Sequence, residues 1–358
     1  MSWLLTIAGF AALIVLHELG HFAAAKAVGM RVERFSLFFP PHLLKLRRGE
    51  TEYALGVIPA GGYVKITGMN PREELSREVA ARAYFRQPVW KRIVVISAGP
   101  GMNVLIAFLI VWVLFMAHGV LGPPTNQVAG DSLRPPASGS LRPGDRIVSV
   151  DGRRGGPPVI RAQIARHRCP GRQVDGCSAA TPAHVVVQRD GRDLAFDLRP
   201  RYRASERRPL LGFTFVPSLV RQPPDRAATL STGFLWFVTS RTVSAMVRIF
   251  EPSERKQLSG VVGTSQYLNE QFRFDVARAM LLLAIISMSL AIVNLFPFLP
   301  LDGGHIFWAL AEKVRGRAIP FEVMERSMAI GFVLVLTLFV IGLTNDIGRL
   351  QGQGLRPR

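Results

Sequence analysis

Three long stretches without a single Asp, Glu, Lys or Arg decide what this chain can fold into. Ile93 to Gly130, Ala279 to Leu301 and Ser327 to Asn345 are all uncharged, the last two over 23 and 19 residues. At about 1.5 Å per helical residue, each can cross a hydrocarbon core roughly 30 Å thick. A hydrophobic share of 49% and a positive mean hydropathy of +0.24 fit a polytopic membrane protein of 358 residues. A fourth span begins at Met1. Residues 1–16 are uncharged and the apolar pattern resumes from Phe22 to Ala25, so this helix carries His17, Glu18 and His21 within it. Neither a basic leader nor a small-residue cleavage site precedes those three residues, so the segment reads as a span and not as a cleaved signal.

The net charge of +19 would suggest nucleic acid in a soluble chain. Here the membrane explains it better. Between Lys26 and Arg92, 13 basic residues face 6 acidic ones in the loop joining the first two spans, which puts that loop in the cytoplasm. The amino terminus and residues 119–277 then lie outside. The outer arginines are scattered without interleaved aromatics, so no nucleic-acid partner is expected. The partner this implies is membrane lipid.

The composition divides the chain into four parts. Residues 1–118 hold two spans and, between them, "RGETEYALGVIPAGGYVKITG", whose alternation around Gly61 and Gly62 predicts a β-hairpin beside the membrane. Its edge could accept an unwound peptide. Residues 119–216 are rich in Pro, Gly and Arg, with strand-like runs "DRIVSVDG" and "AHVVVQRDGRDLAFDL", and predict a compact β-rich domain. Within it "RYRASERRPL" reads as an exit linker. Cys169 and Cys177 also fall here; outside the cytoplasm they could form a local disulfide, and two buried free thiols are the alternative. Residues 217–277 include an apolar stretch from Ala227 that is interrupted by Arg241 and Arg248, which favours a helix along the membrane surface. Residues 278–358 hold the last two spans. The fold class is thus an α-helical membrane protein of about four spans with a membrane-associated hairpin and an inserted β-rich domain.

The chemistry lies in "HELGH". On a helix His17 and His21 project from one face, at the spacing that lets two imidazoles chelate one metal ion. Glu18 is placed to act as general base on a water without being a ligand, the arrangement of zinc proteases. Three ionisable groups in a span cost about 2.5 to 3.5 kcal/mol each, so an idle role for them is implausible. A catalytic zinc needs a third protein ligand. In "NLFPFLPLDGGHIF", Pro297 and Pro300 break the helix and two glycines loosen the chain at Asp302, which makes that carboxylate the favoured ligand; His305 is the competitor.

Taken together, "HELGHFAAAK", "GGYVKITG", "SAGPGMNVLIAF", "LRPGDRIVSVDG" and "NLFPFLPLDGGHIF" resemble the site-2 proteases, in the order and over nearly the full length of the bacterial branch that carries an extracytoplasmic PDZ domain. The resemblance implies an intramembrane zinc endopeptidase of the bacterial cell membrane. In it His17, His21 and Asp302 hold Zn2+, Glu18 is the catalytic base, Asn294 lies near the substrate, and the strand at Gly61 and Gly62 is the membrane-associated β-element. Substrates implied are single-span regulators such as anti-sigma factors, or remnant signal peptides. The PDZ-like domain would either exclude bulky substrates or recruit them. Two departures stand out: Val261 replaces a usual proline in "LSGVVGTSQYL", and the single PDZ-like region carries a Cys-containing insertion. The rival reading is a catalytically silent membrane scaffold that binds peptides through its PDZ-like domain, against which the intact Glu18 argues. A metal transporter would need ligands recurring through several spans, and spans two and four offer no such series.

Overall fold

The computed structural model describes residues 1–70, 72–130, 133–248, 251 and 260–352. In chain order the elements are α1 (Ser2–Ala27), β1 (Val32–Arg48), β2 (Thr51–Ile66), α2 (Arg77–Ala80), α3 (Val89–Ala117), β3 (Val120–Val128), β4 (Arg146–Val150), β5 (Arg153–Arg154), α4 (Pro157–Ile164), β6 (Ala183–Arg189), β7 (Arg192–Leu198), β8 (Arg201–Arg203), β9 (Arg208–Leu210) and β10 (Phe215–Val220). Then follow α5 (Pro224–Val247), α6 (Val261–Phe274), α7 (Val276–Asn294), α8 (Asp302–Arg315) and α9 (Phe321–Gly352). Two compact units result: Met1–Ala117 with Pro223–Arg358, and His118–Gln222.

The first unit is a helix bundle. Four of its helices, α1, α3, α7 and α9, are long and apolar enough to cross a membrane. Because they are apolar nearly all round, burial and not composition reveals their inner faces. In α1 the buried positions Leu13, His17, Gly20, His21 and Ala25 recur every three or four residues, so the two histidines lie on the packed stripe. The buried stripe of α3 runs Val95, Gly99, Asn103, Ala107 and Val111 in the same way. Small residues let the two helices approach closely: a methyl group on Gly20 would lie 2.4 Å from the carbonyl oxygen of Ala98. The segment read as a membrane-surface helix is the 24-residue α5, which contributes Leu235 and Val238 to a cluster with Ala107, Val111, Ala284 and Met288. In "LSGVVGTSQYL", Leu258 and Ser259 lie outside the described residues, and Val261 begins α6.

The hairpin differs from its sequence-based expectation. Its turn is at Gly49 and Glu50, where Gly49 takes φ +62°, and not at Gly61 and Gly62, which lie inside β2. Pairing runs Arg48 to Thr51 and Leu46 to Tyr53, and Leu37 is partnered by both Leu55 and Gly62. The second strand therefore flanks β1 twice. Glu50 accepts from Lys26 at 2.6 Å and from Arg82 at 2.7 and 2.9 Å. The Arg82 and Lys26 bonds draw its carboxyl down to about 2.

The second unit carries a sheet in the order β10-β3-β4-β6-β7, with β5 attached to β4. Strand β6 buries Ala183, Val185 and Val187 and turns His184 and Gln188 outward, the period of a half-buried strand. Those residues join Val128, Ile147, Val150, Ile160 and Phe215 in one core. Two sequence-based boundaries change. The domain runs past residue 216 to Gln222, because Leu219 and Val220 pair with Leu121 and Val120. "RYRASERRPL" is no linker: it is the hairpin β8-β9, with Arg201 paired to Leu210 and Arg203 to Arg208. Cys169 and Cys177 form a disulfide beside it. Closing so short a loop is worth about 2 to 3 kcal/mol by chain entropy.

Candidate metal centre

The α1 stripe delivers two imidazoles and the start of α8 delivers a carboxylate to the same point. His17 Nε2 and His21 Nε2 are 3.3 Å apart. Asp302 Oδ2 lies 3.4 Å from each. A tetrahedral zinc with bonds of about 2.0 to 2.1 Å requires its ligand atoms to be roughly 3.3 to 3.4 Å from one another. The observed triangle has that edge length, so the three side chains fit a zinc ion. Asp302 Oδ2 is buried and has no hydrogen-bond partner among the described residues, as an oxygen reserved for a cation would be. Among the described residues this trio is the one group of three or more metal-binding side chains found. His305, the rival third ligand, is outside it.

The break after α7 explains how Asp302 arrives. Helix α7 ends at Asn294, the next seven residues turn, and α8 starts at Asp302. A side chain at Gly303 would collide with the Leu295 carbonyl at 2.2 Å, so the "DGG" run lets α8 close onto the end of α7. The bidentate pair of Arg92 with Glu312, at 2.7 and 2.9 Å, ties α8 to α3. The prolines and glycines around Asp302 signal a turn of the chain but leave no sign of the new helix of 14 residues.

The neighbours fix both rings. His21 Nδ1 lies 2.9 Å from the Val95 carbonyl oxygen, so this nitrogen carries the proton and Nε2 is left with its lone pair. Gly99 makes the room, since a methyl group there would lie 2.2 Å from His21 Nε2. His17 Nδ1 lies 3.1 Å from the buried amide of Asn103. With Nε2 turned to a metal, Nδ1 of His17 must donate, so it needs the amide oxygen. Asn103 Oδ1 is buried with no partner among the described residues, while Nδ2 faces the ring. A half-turn of the amide resolves both conflicts. Ser287 on α7 donates to the Asn103 backbone carbonyl at 2.9 Å, which anchors the residue from a third span. Asn103 stands in the "GPGMN" motif, but its sequence gives no hint of the ring it meets 86 positions away.

Glu18, next to the first imidazole, is half-buried and outside the triangle. Strand β2 crosses it: a methyl group on Gly62 would lie 2.8 Å from Glu18 Cγ and 3.0 Å from the Ser36 carbonyl oxygen. Gly61, with φ +149°, sits beside Phe39. Asn294 is half-buried at the end of α7, and its side chain makes no hydrogen bond among the described residues.

Comparison with known proteins decides the family. The profile of Peptidase family M50 matches residues 5–338. The chain belongs to peptidase family M50. Zinc metalloprotease Rip1 of Mycobacterium tuberculosis is 31% identical, over 92% of this chain and 93% of its own. A protein of Agrobacterium fabrum, provisionally named a zinc metalloprotease, is 28% identical over 95% and 94% of the two chains. One from Campylobacter jejuni, named likewise, is 26% identical over 99% and 95%. The match begins within α1, runs through α3, the inserted domain and α7, and ends inside α9.

Proposed function

We propose that this M50 peptidase is an intramembrane zinc endopeptidase that cuts a peptide bond in, or near the cytoplasmic end of, another protein's transmembrane helix. The ligand triangle supports this most directly: its edges are 3.3 to 3.4 Å, both histidines are on α1, a helix long enough to span a membrane, and Asp302 starts the 14-residue α8.

His17, His21 and Asp302 hold the zinc. When bound, zinc supplies Lewis acidity toward a peptide carbonyl and toward water. Glu18 takes the proton of the attacking water and passes it to the leaving amine nitrogen. Val95 and Asn103 keep the imidazoles turned with Nε2 inward, so two neutral rings and one carboxylate face the ion.

A helical substrate hides its carbonyls in its own hydrogen bonds, so it must unwind before attack. The β2 edge at Gly61 and Gly62 is suited to hold the unwound strand by main-chain hydrogen bonds. The side-chain amide of Asn294 is free to bond to backbone that unwinding releases. The enzyme lies in the bacterial cell membrane with residues 26–92 cytoplasmic and the inserted PDZ-like domain outside. Its substrates are single-span membrane proteins, of the kind of anti-sigma factors or remnant signal peptides.

The test pairs metal analysis of purified protein with cleavage of a reporter containing one transmembrane helix. One zinc per chain together with cleavage inside the helix supports the reading. A metal-free active enzyme, or a metal-loaded chain with no peptidase activity on any helix, overturns it.

A further inference from the structure

Helix α8 has 14 residues, about 21 Å at 1.5 Å each, and is too short to cross a bilayer core. One of its faces is packed. Ile306 lies against the cluster of Met30, Val32, Val95 and Ile96, Ala309 is buried, and Glu312 holds Arg92 of α3 at 2.7 and 2.9 Å. Another face carries Phe307, Leu310 and Val314, which share one stripe at helical spacing and are 48, 46 and 90% exposed. Lys313 and Arg315 are exposed beside that ridge, and exposed Arg317 follows Gly316, the residue that ends the helix at φ +73°.

We propose that α8 docks on the headgroups of anionic phospholipids, with Phe307, Leu310 and Val314 in the acyl boundary and Lys313, Arg315 and Arg317 against the lipid phosphates. This docking rests on the membrane-embedded reading above. An apolar ridge so exposed gains from burial, and a helix with basic residues beside its ridge gains most at an anionic surface. Each basic residue there strengthens attachment by on the order of fivefold. Hydrocarbon alone would satisfy the ridge but not the cations. Water alone would satisfy the cations but not the ridge.

The cations are available for this. Between residues 312 and 326, Glu312 pairs with Arg92 and Glu322 with Arg72, which leaves one acidic residue, Glu325, against Lys313, Arg315, Arg317 and Arg326. Lys313, Arg315 and Arg317 form no ion pair among the described residues. The helix dipole favours cations in the last turn, but it requires neither Arg317 beyond the helix nor the apolar ridge. The level is also right. The pair of Arg92 with Glu312 sets the end of α8 beside the start of α3, where Trp90 is 58% exposed. Exposed tryptophan at the end of a spanning helix marks the membrane–water interface.

The experiment places a polarity-sensitive nitrobenzoxadiazole label on the full chain at Val314→Cys and reads it in vesicles of phosphatidylcholine, alone or with about 30 mol% phosphatidylglycerol. At low salt the label is expected to be at least about twofold brighter and blue-shifted in the anionic vesicles, with the difference shrinking as salt rises. Adding Lys313→Glu, Arg315→Glu and Arg317→Glu is expected to erase that difference without lowering the melting temperature or the zinc content. Equal emission in the two lipids overturns the proposal before any charge is altered. Survival of the difference in the folded charge-reversed variant overturns it too. If the label stays in water in both vesicles and is covered only when a transmembrane helix peptide is added, the ridge serves a protein and the proposal fails. No cleavage enters the measurement, so each of these failures leaves the peptidase reading standing, and an inactive chain with the lipid response would leave the docking standing.

Discussion

Gly62 of β2 and Glu18 of α1 are packed so closely that a methyl group on Gly62 would sit 2.8 Å from Glu18 Cγ. The strand proposed to hold substrate and the side chain proposed as base are thus in direct contact. Any side chain at Gly62 must push against the stem of Glu18 or the Ser36 carbonyl. Gly62→Val is expected to lower kcat by about 100-fold, the scale of an ångström-sized misplacement of a reacting group. Zinc content should be unchanged. A single-turnover assay with metal analysis checks both, and full activity in the variant would separate Gly62 from Glu18.

Asn103 makes a different prediction because it acts through His17. Asn103→Leu removes the acceptor for the His17 Nδ1 proton and is expected to weaken zinc retention by about 10- to 100-fold, read by chelator competition. Asn103→Asp keeps an acceptor at the same place and should retain the metal better than the Leu variant. Equal zinc affinity in all three proteins would leave the amide a packing residue only.

In the inserted domain the Asp145 side chain is 1% exposed and accepts two bonds from Arg189, at 2.8 and 2.7 Å, and one from the Arg142 N–H at 2.7 Å. Asp145→Ala strands Arg189 and is expected to cost about 3 to 5 kcal/mol. Hydrogen exchange in β4 and β6 of the full chain reads the loss. The same contact sets a pH dependence. Burial works to raise the Asp145 carboxyl, but Arg189 and the Arg142 N–H outweigh it and hold the pKa below the ordinary value. A carboxyl that titrates lower when folded contributes fully above its unfolded pKa of about 3.9 and loses that contribution as pH falls through the folded value. Protection in β4 should therefore drop in acid in the native protein and show a smaller drop in Asp145→Ala. Identical acid profiles would contradict the assignment.

Much of this was legible in the sequence, and the exceptions have physical reasons. Helices α1, α3, α7 and α9 announce themselves because a bilayer core excludes charge over a fixed length. His17, Glu18 and His21 are legible because helical spacing alone puts both imidazoles on one face. Gly61 and Gly62 mislead, since a glycine pair is a local turn signal. Here Gly62 answers a tertiary demand, the close passage over Glu18, which leaves no local mark. "RYRASERRPL" has the composition of a linker but pairs as β8-β9 against the disulfide loop, a contact between segments some 25 residues apart. The bond between Asn103 and His17 likewise joins two spans whose register no local pattern encodes.

In the proposed mechanism Glu18 moves the proton while His17, His21 and Asp302 hold the metal. Glu18→Gln separates those roles, because the amide keeps the size of the side chain and leaves all three ligands in place but cannot accept a proton. Zinc content and cleavage of a transmembrane-helix reporter, measured on the same purified sample, are expected to show one zinc per chain and no product. Retained turnover by the zinc-loaded variant would mean that Glu18 is not the base.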